Sequence, residues 1–179
     1  MSYILKIRNS KGGTFMDIFT TYSVRIDCFT RIFQDTVNLY RRSVDFFIGV
    51  ILLENEELFR LRTQTERVNA VERITVITSG RPEVKYDFGK EFYKFPSYYR
   101  RAAIAEALGS VSSYLSRLES WKKENPETRG RKPGFPKAGF TCPALYKIGC
   151  YVRISDYTAK VKVWVRNTWD WVTVNLRKS

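Results

Sequence analysis

The sequence contains no histidine. Histidine is the commonest general base, and it completes the Ser/His and Cys/His nucleophile pairs. Its absence excludes those pairs and any histidine-bearing metal site. Cysteine is scarce too, because Cys28, Cys142 and Cys150 are an odd count without paired short spacing. Neither a disulfide framework nor a zinc site is predicted, and a reducing cytoplasm is the expected location.

Long apolar runs and phosphate-binding loops are also missing. The longest apolar run, residues 46–53, is far too short to span a bilayer. Met1 leads directly into a strand-like segment, so no secretory leader is expected. The Gly12-Gly13 pair lacks the lysine and the spacing of a phosphate loop. We therefore expect no membrane partner and no cofactor.

Positive charge is what the chain has in excess. It carries 31 Lys and Arg against 18 Asp and Glu, a net charge of +13. With 44% hydrophobic and 15% aromatic residues, it has the composition of a folded protein. A folded, strongly basic protein is expected to have a polyanionic partner, and nucleic acid is the first candidate. Residues 129–179 alone hold eleven Lys and Arg against two Asp, a net +9.

The strongest periodic pattern predicts a helix in the stretch from Phe95 to Lys123. Pro96 and Ser97 are typical of a helix start, and Asn125-Pro126 of a stop. One stripe of this helix is apolar at spacings of three and four residues, through Ile104, Leu108, Val111, Leu115 and Leu118. That stripe requires a partner surface.

The first 125 residues predict one strand followed by helices. Alternation over residues 3–8 indicates a strand within segment 1–12. Apolar spacings over residues 21–61 predict a long helix broken near Gly49 or Glu54-Asn55, and residues 65–74 continue helical. An ordered, aromatic-rich connection, residues 84–95, leads into that helix. Residues 20–125 are therefore expected to form a helical lobe.

Residues 126–143 combine glycine, proline and basic residues without periodicity, which predicts a basic connection between two structural layers. Its cations can reach phosphates from an exposed loop. The candidate nucleic-acid-binding residues here are Arg129, Arg131, Lys132 and Lys137.

Residues 144–179 change to a period-two pattern rich in valine, tyrosine and tryptophan, which predicts strands at 144–154, 159–166 and 169–176. Alternate valines at 161, 163 and 165 should face a core. The other face would carry Lys160, Lys162, Trp164 and Arg166, where a tryptophan among cations can stack on bases while lysines neutralise phosphates. The alternative is an ordinary two-faced sheet kept soluble by its lysines.

The chain resembles a known family in the order of its parts, which are a strand, helices and then basic strands. Between the helices and the basic strands lies the stretch Phe92-Tyr93-Lys94-Phe95-Pro96-Ser97-Tyr98-Tyr99-Arg100-Arg101. With the turn Lys132-Pro133-Gly134-Phe135-Pro136-Lys137, the chain is similar to the N-terminal half of the TnpB family. These OrfB-type, transposon-encoded RNA-guided DNA endonucleases are related to type V CRISPR effectors. The resemblance covers nearly the whole chain, loosely at the start and better from about Glu91 onward.

The resemblance implies an α+β fold in which the first strand and the C-terminal strands form a wedge-type, OB-like β-barrel, with a helical recognition lobe inserted. In that family these parts hold the guide RNA scaffold and the guide–target heteroduplex, largely through the backbone. It adds Arg100 and Arg101 to the candidate nucleic-acid-binding residues.

In the family a RuvC-like nuclease domain with two metal ions follows the barrel, and it is absent from these 179 residues. No catalytic or metal-binding residue is therefore predicted in this chain. The implied partners are RNA, target DNA and a separate nuclease-domain chain.

Two other functions remain as alternatives. Residues 104–118 superficially resemble a helix-turn-helix of a sequence-specific DNA-binding regulator, although uninterrupted periodicity through Gly109 leaves no turn. The aromatic excess could also serve an oligomeric protein-interaction module. Salt dependence of binding separates the protein-interaction module from the other two, and RNA co-purification separates an RNA binder from a DNA-binding regulator.

Overall fold

The computed structural model describes residues 2–7, 18–26, 31–143 and 149–178. It confirms an α+β fold. The elements in chain order are β1 (Ser2–Ile7), β2 (Ile18–Ile26), α1 (Arg31–Leu53), α2 (Asn55–Arg60), α3 (Gln64–Thr75), α4 (Phe88–Glu91), α5 (Ser97–Lys123), β3 (Tyr151–Arg153), β4 (Thr158–Val165) and β5 (Thr168–Lys178).

The five strands form one antiparallel sheet in the order β1-β2-β5-β4-β3. The N-terminal and C-terminal strands therefore share a sheet, with β2 paired to β5 over Val24, Arg25 and Ile26. Strands β1 and β3 are its two edges. The described strands form an open sheet, and a closed barrel is not shown.

The prediction that a helix begins at Thr21 is wrong, because residues 18–26 form strand β2. Segment 20–125 is therefore not helical from its start. The stretch Thr20-Thr21-Tyr22 with Val24 and Ile26 is rich in β-branched and aromatic side chains, which favour a pleated strand. The described part of the first long helix begins at Arg31. Residues 27–30, which the sequence also placed in that helix, lie outside the described residues.

The remaining helices follow the sequence pattern closely. Helix α1 ends at Leu53, so the break lies at Glu54, whereas Gly49 lies within the helix. Helix α5 starts at Ser97 and runs without interruption through Gly109. Residues 104–118 therefore form one continuous helix and not a helix-turn-helix. The predicted aromatic-rich connection contains the short helix α4.

Helices α1 and α5 pack together through their apolar stripes, which makes the main core. Val44, Phe47 and Ile51 of α1 and Ile104 of α5 are fully buried. An aromatic group from the α4 region extends this core, with Phe88 stacked on Phe47 at 4.8 Å and on Phe92 at 4.5 Å between ring centroids. The predicted stripe is thus confirmed at its N-terminal end, while Leu115 and Leu118 are half-buried.

The C-terminal strands also follow their pattern, with small shifts. Of the three valines predicted to face a core, Val161 and Val163 are buried with Phe33 in a second core cluster, and Val165 is half-buried against it. The last turn lies at Arg166 and Asn167, so β5 begins at Thr168. Of the predicted strand at 144–154, only residues 151–153 form strand β3, and residues 149–150 form a turn. Residues 144–148 lie outside the described residues.

Two helical side chains complete the edge of β4 where β3 ends. Strand β3 pairs with β4 only as far as Val161. Beyond it, the Tyr99 hydroxyl donates to the Lys162 carbonyl oxygen at 2.7 Å, and the Thr36 hydroxyl accepts from the Trp164 backbone N–H at 2.8 Å. Side chains from α5 and α1 thus replace the missing strand partner and fix the helices to the sheet.

A polar contact closes the break between α1 and α2. Lys85 Nζ and the Tyr86 hydroxyl both donate to Glu54 Oε1, at 2.5 and 2.6 Å. The hydrogen bond from Lys85, with that from Tyr86, lowers the pKa of Glu54 below its ordinary value. The same bond raises the pKa of Lys85.

We expect this contact to make stability depend on acidic pH. Because the pKa of Glu54 is lower in the folded chain, its contribution is fully present above the unfolded value, about 4.3. It is lost as pH falls through the folded pKa. Glu54→Gln should therefore lower the melting temperature at neutral pH, and its effect should shrink as pH falls below about 4.3. The exposed Glu56→Gln is the matched control, and equal effects of the two variants at neutral pH would contradict the prediction.

Candidate nucleic-acid interface

The face of β4 and β5 opposite the valines carries alternating cationic and aromatic side chains. Cross-strand pairing places Lys162 opposite Trp171 and Trp164 opposite Trp169, so these four residues share one face. We call it the tryptophan–lysine face; its members are Lys160, Lys162, Trp164, Trp169, Trp171 and Thr173. The predicted orientation of Lys160, Lys162 and Trp164 is therefore confirmed.

The two ends of this face differ in burial. At one end Trp169 packs on Phe95 and Tyr99, with ring centroids 5.1 and 5.3 Å away, and Trp164 contacts Trp169 edge-on at 5.5 Å. At the other end Lys160 and Thr173 are exposed. Trp164 thus belongs partly to the junction with the helices, which the sequence did not predict.

Trp171 occupies the position that the sequence analysis assigned to Trp164. Lys162 Nζ lies 5.5 Å from the centroid of the Trp171 ring, and both side chains are half-buried beside the exposed Lys160. A cation beside an aromatic ring is attracted to its π-electrons, and together they offer a base-stacking surface next to a phosphate-binding charge. Trp171 was missed because the sequence analysis followed β4 alone, although cross-strand register to Lys162 identifies it.

Arg166 lies in the hairpin turn and not on the face. It has φ 47° and Asn167 has φ 65°, so both central residues of the turn are left-handed. This is typical of a tight hairpin turn whose twist matches the flanking strands. The exposed Arg166 side chain therefore stands at the end of the β4–β5 hairpin, beyond the last residue of β4.

Arg100 and Arg101 are engaged in an ion-pair network inside the helical layer. Both contact the carboxylate of Glu72 on α3, with the Arg100 guanidinium 3.0 Å from Glu72 Oε1 and Arg101 on the other oxygen. Arg101 also donates to Asn69 at 3.0 Å. Both arginines help to join α3 to α5, and the single Glu72 carboxylate balances one of their two charges. Their assignment to nucleic-acid binding stays a prediction.

The basic connection, residues 126–143, folds back along α5 instead of projecting from it. At one end the Arg129 guanidinium lies 4.0 Å from the Trp121 ring centroid, and Trp121 Nε1 donates to the Gly130 carbonyl at 2.7 Å. Further on, Phe135 lies 5.5 Å from Tyr114 between centroids.

The connection ends against α1. The Ala138 N–H donates to Asp45 Oδ1 at 2.8 Å, and Arg41 donates to the Thr141 carbonyl at 2.9 Å. The segment is therefore held at both ends. Its exposed cations Arg131, Lys132 and Lys137 form no ion pair among the described residues.

Two depressions lie between α5 and the basic connection, and both are lined by Arg117. The larger has a volume of about 650 Å³ and also includes Gly109, Ser113 and Lys137. The smaller has a volume of about 420 Å³ and includes Trp121 and Arg131. We call the two together the α5 groove. The sequence analysis missed Arg117 and Trp121, because only folding places the connection beside them.

Among the described residues, no group of three or more His, Cys, Asp or Glu side chains could hold a metal ion. Glu54, Glu56 and Glu57 lie close together in the sequence, and the Glu54 carboxylate accepts hydrogen bonds from Lys85 and Tyr86. Within the same part of the chain, no helix is long and apolar enough to cross a membrane.

These features define a basic α+β protein with a cationic, tryptophan-bearing sheet face and an ordered basic segment along its longest helix. The chain belongs to the Aq_aa04 family, whose model matches residues 20–165. It is 30% identical over 149 residues to an uncharacterized protein, aq_aa04, of Aquifex aeolicus (strain VF5), covering 76% of this chain and 80% of the relative. No solved structure matches it.

Proposed function

We propose that this protein binds structured RNA in the cytoplasm through the tryptophan–lysine face. The observation that carries the proposal is the pairing of Lys162 with the Trp171 ring at 5.5 Å beside the exposed Lys160. Lysines on such a surface neutralise phosphates, and the indole ring stacks on a base that leaves its helix.

The ion pairs that the basic residues form, or do not form, support this choice of surface. Arg100 and Arg101 are engaged by Glu72, whereas Lys160 and Lys162 have no carboxylate partner among the described residues. Residues 129–179 carry a net +9, spread over the basic connection and the C-terminal strands. Such an excess of positive charge attracts polyanions over several ångströms at low salt.

The resemblance to TnpB extends the proposal. The RNA would be a guide scaffold, with target DNA paired to it and a separate nuclease-domain chain as the second partner. The open sheet would close into a wedge-type barrel through its edge strands β1 and β3. In this interpretation the chain holds nucleic acid, and the chemistry belongs to the partner.

We expect binding of a blunt RNA hairpin to weaken steeply with salt. Each neutralised duplex phosphate releases counterions, with a slope of roughly −0.9 per contact in a plot of log affinity against log salt. Lys160→Ala/Lys162→Ala should make this slope shallower by about 0.9 for each lysine that contacts a phosphate. Filter binding between low and physiological salt measures both quantities.

The control removes the same charge elsewhere. Arg73 and Lys90 are exposed on α3 and α4, so Arg73→Ala/Lys90→Ala lowers the net charge equally without touching the sheet. It should leave the slope nearly unchanged. Equal slopes for the two double variants, or no salt dependence in the parent protein, would overturn the proposal.

Trp171→Ala tests the stacking part in the same titrations. Loss of one stacked base costs about 1–3 kcal/mol, so affinity should fall about tenfold. The salt slope should stay the same, because stacking releases no counterions. Trp164→Ala should in addition lower the melting temperature, since Trp164 contacts Trp169. An unchanged affinity for Trp171→Ala would remove this tryptophan from the interface.

A further inference from the structure

The α5 groove is separate from the tryptophan–lysine face and has its own chemistry. It follows α5 from Ala102 to Glu124. At 1.5 Å rise per residue these positions are about 33 Å apart along the helix. Its volumes of about 650 and 420 Å³ are those of small-ligand sites. The two depressions share Arg117 and follow one another along α5, which is the arrangement an extended chain would need.

Charge along the α5 groove is arranged with cations in the middle. Arg117 lines both depressions, while Lys137 and Arg131 line one depression each from the basic connection. The lining acids lie at the ends, Glu106 about 16 Å before Arg117 and Glu124 about 10 Å after it along the helix. None of the three cations forms an ion pair among the described residues. An anionic segment is complementary to this central part.

Hydroxyl groups and an aromatic ring complete the α5 groove. Ser110 and Ser113 line the larger depression, and Ser116 and Ser120 the smaller, so hydroxyl donors follow the helix on both sides of Arg117. Trp121 lines the smaller depression, and Arg129 lies over its ring at 4.0 Å. Cations that follow a backbone, together with a ring for base stacking, are the combination that binds single-stranded nucleic acid.

We propose that the α5 groove binds a single-stranded RNA segment, with Arg117 and Lys137 on its phosphates and Trp121 beside a base. This inference rests on the proposed RNA-binding function and adds a second site to it. A duplex presents only its outer backbone to a groove between a helix and a loop, whereas a single strand can enter it and place a base on the indole. The α5 groove is therefore expected to bind a single-stranded extension, whereas the tryptophan–lysine face binds the hairpin.

Gly109 provides a way to block the groove without disturbing the core. A Cβ added at Gly109 meets nothing within 4 Å, and the residue is exposed in the middle of α5. Gly109→Gln should fill the larger depression, whereas Gly109→Ala adds one methyl group. Both substitutions favour the helix, by up to about 1 kcal/mol for alanine. Each variant should therefore melt at or above the temperature of the parent protein.

The experiment compares a fluorescent twelve-nucleotide oligouridine with the blunt RNA hairpin in anisotropy titrations. Gly109→Gln should weaken oligouridine binding about tenfold and leave hairpin binding unchanged, and Gly109→Ala should change neither by more than about twofold. Arg117→Ala/Lys137→Ala should also weaken oligouridine binding about tenfold, independently of how Gly109→Gln folds. Its control is Arg73→Ala/Lys90→Ala.

The outcomes separate this inference from the function it rests on. If hairpin binding depends on Lys160 and Lys162 but oligouridine binding ignores both groove variants, the groove is not a single-strand site. If hairpin binding is insensitive to salt and to the sheet lysines while the groove variants still weaken oligouridine binding, the proposed function is wrong and the groove site stands. Equal weakening of hairpin and oligouridine by Gly109→Gln would contradict a separate single-strand site.

Discussion

Tyr99→Ala is expected to destabilise the protein by about 3–5 kcal/mol, the range for removal of a buried aromatic side chain. Tyr99 is 1% exposed and lies where the helices meet the sheet. Its ring centroid is 5.3 Å from that of Trp169, 6.3 Å from Tyr40 and 6.5 Å from Phe95. Truncation leaves a cavity that three different elements would have to collapse to fill.

Tyr99→Phe is the matched control. It keeps the ring contacts and removes only the hydroxyl that donates to the Lys162 carbonyl at 2.7 Å. A neutral hydrogen bond contributes about 1 kcal/mol, so this variant should lose far less stability than Tyr99→Ala. Urea unfolding followed by tryptophan fluorescence measures both. Equal losses for the two variants would mean that the hydroxyl, and not ring packing, joins α5 to the sheet.

The second large effect is expected at Thr36, which is 4% exposed on α1. Its hydroxyl donates to the Ile32 carbonyl at 2.7 Å and accepts from the Trp164 N–H at 2.8 Å. Thr36→Val keeps the shape but leaves that N–H without its acceptor at a buried position. An unsatisfied buried donor costs about 1–3 kcal/mol, so the free energy of unfolding should fall by that amount.

Thr36→Ser keeps the hydroxyl and removes a methyl group. Its loss should be smaller than that of Thr36→Val if the hydrogen bond to Trp164 matters more than the methyl packing. Amide hydrogen exchange gives a direct readout, because the Trp164 N–H should exchange faster in Thr36→Val than in Thr36→Ser. Unchanged exchange of this amide in Thr36→Val would show that the hydroxyl does not protect it.

These two residues also bear on the proposed function. Thr36 and Tyr99 hold the β4 backbone at Trp164 and Lys162, within the tryptophan–lysine face. The orientation of Lys162 and its distance to Trp171 therefore depend on contacts made from the opposite edge of the strand. Stability at the helix–sheet junction and presentation of the candidate RNA surface are consequences of the same packing.

The boundaries of α5 and the end of α1 could be predicted from the sequence because they depend on local chemistry. Pro96 before α5, Asn125-Pro126 after it and the break at Glu54 act within a few residues of the element they limit. The alternation that places Val161 and Lys162 on opposite faces of β4 is also local, since successive strand residues point to opposite sides.

The start of the long helix was mispredicted because a helical stripe and a strand share residues such as Ile26. Its apolar spacing to Phe29 and Phe33 fits a helix, yet Ile26 pairs with Leu176 at the far end of the chain. Pairing between residues that are distant in sequence overrides local propensity, and no local pattern contains it.

In the candidate sites, too, some features follow from the local sequence and others depend on contacts between distant residues. The sequence by itself determined that the protein is basic, that the excess lies in residues 129–179, and that lysines alternate with valines on β4. Only the tertiary structure decided which cations remain available. Glu72 engages Arg100 and Arg101 from another helix, Trp171 meets Lys162 across the sheet, and the basic connection folds back beside Arg117. The physical reason is that charge pairing and groove formation depend on distances between residues far apart in the chain, whereas composition and periodicity record only neighbours.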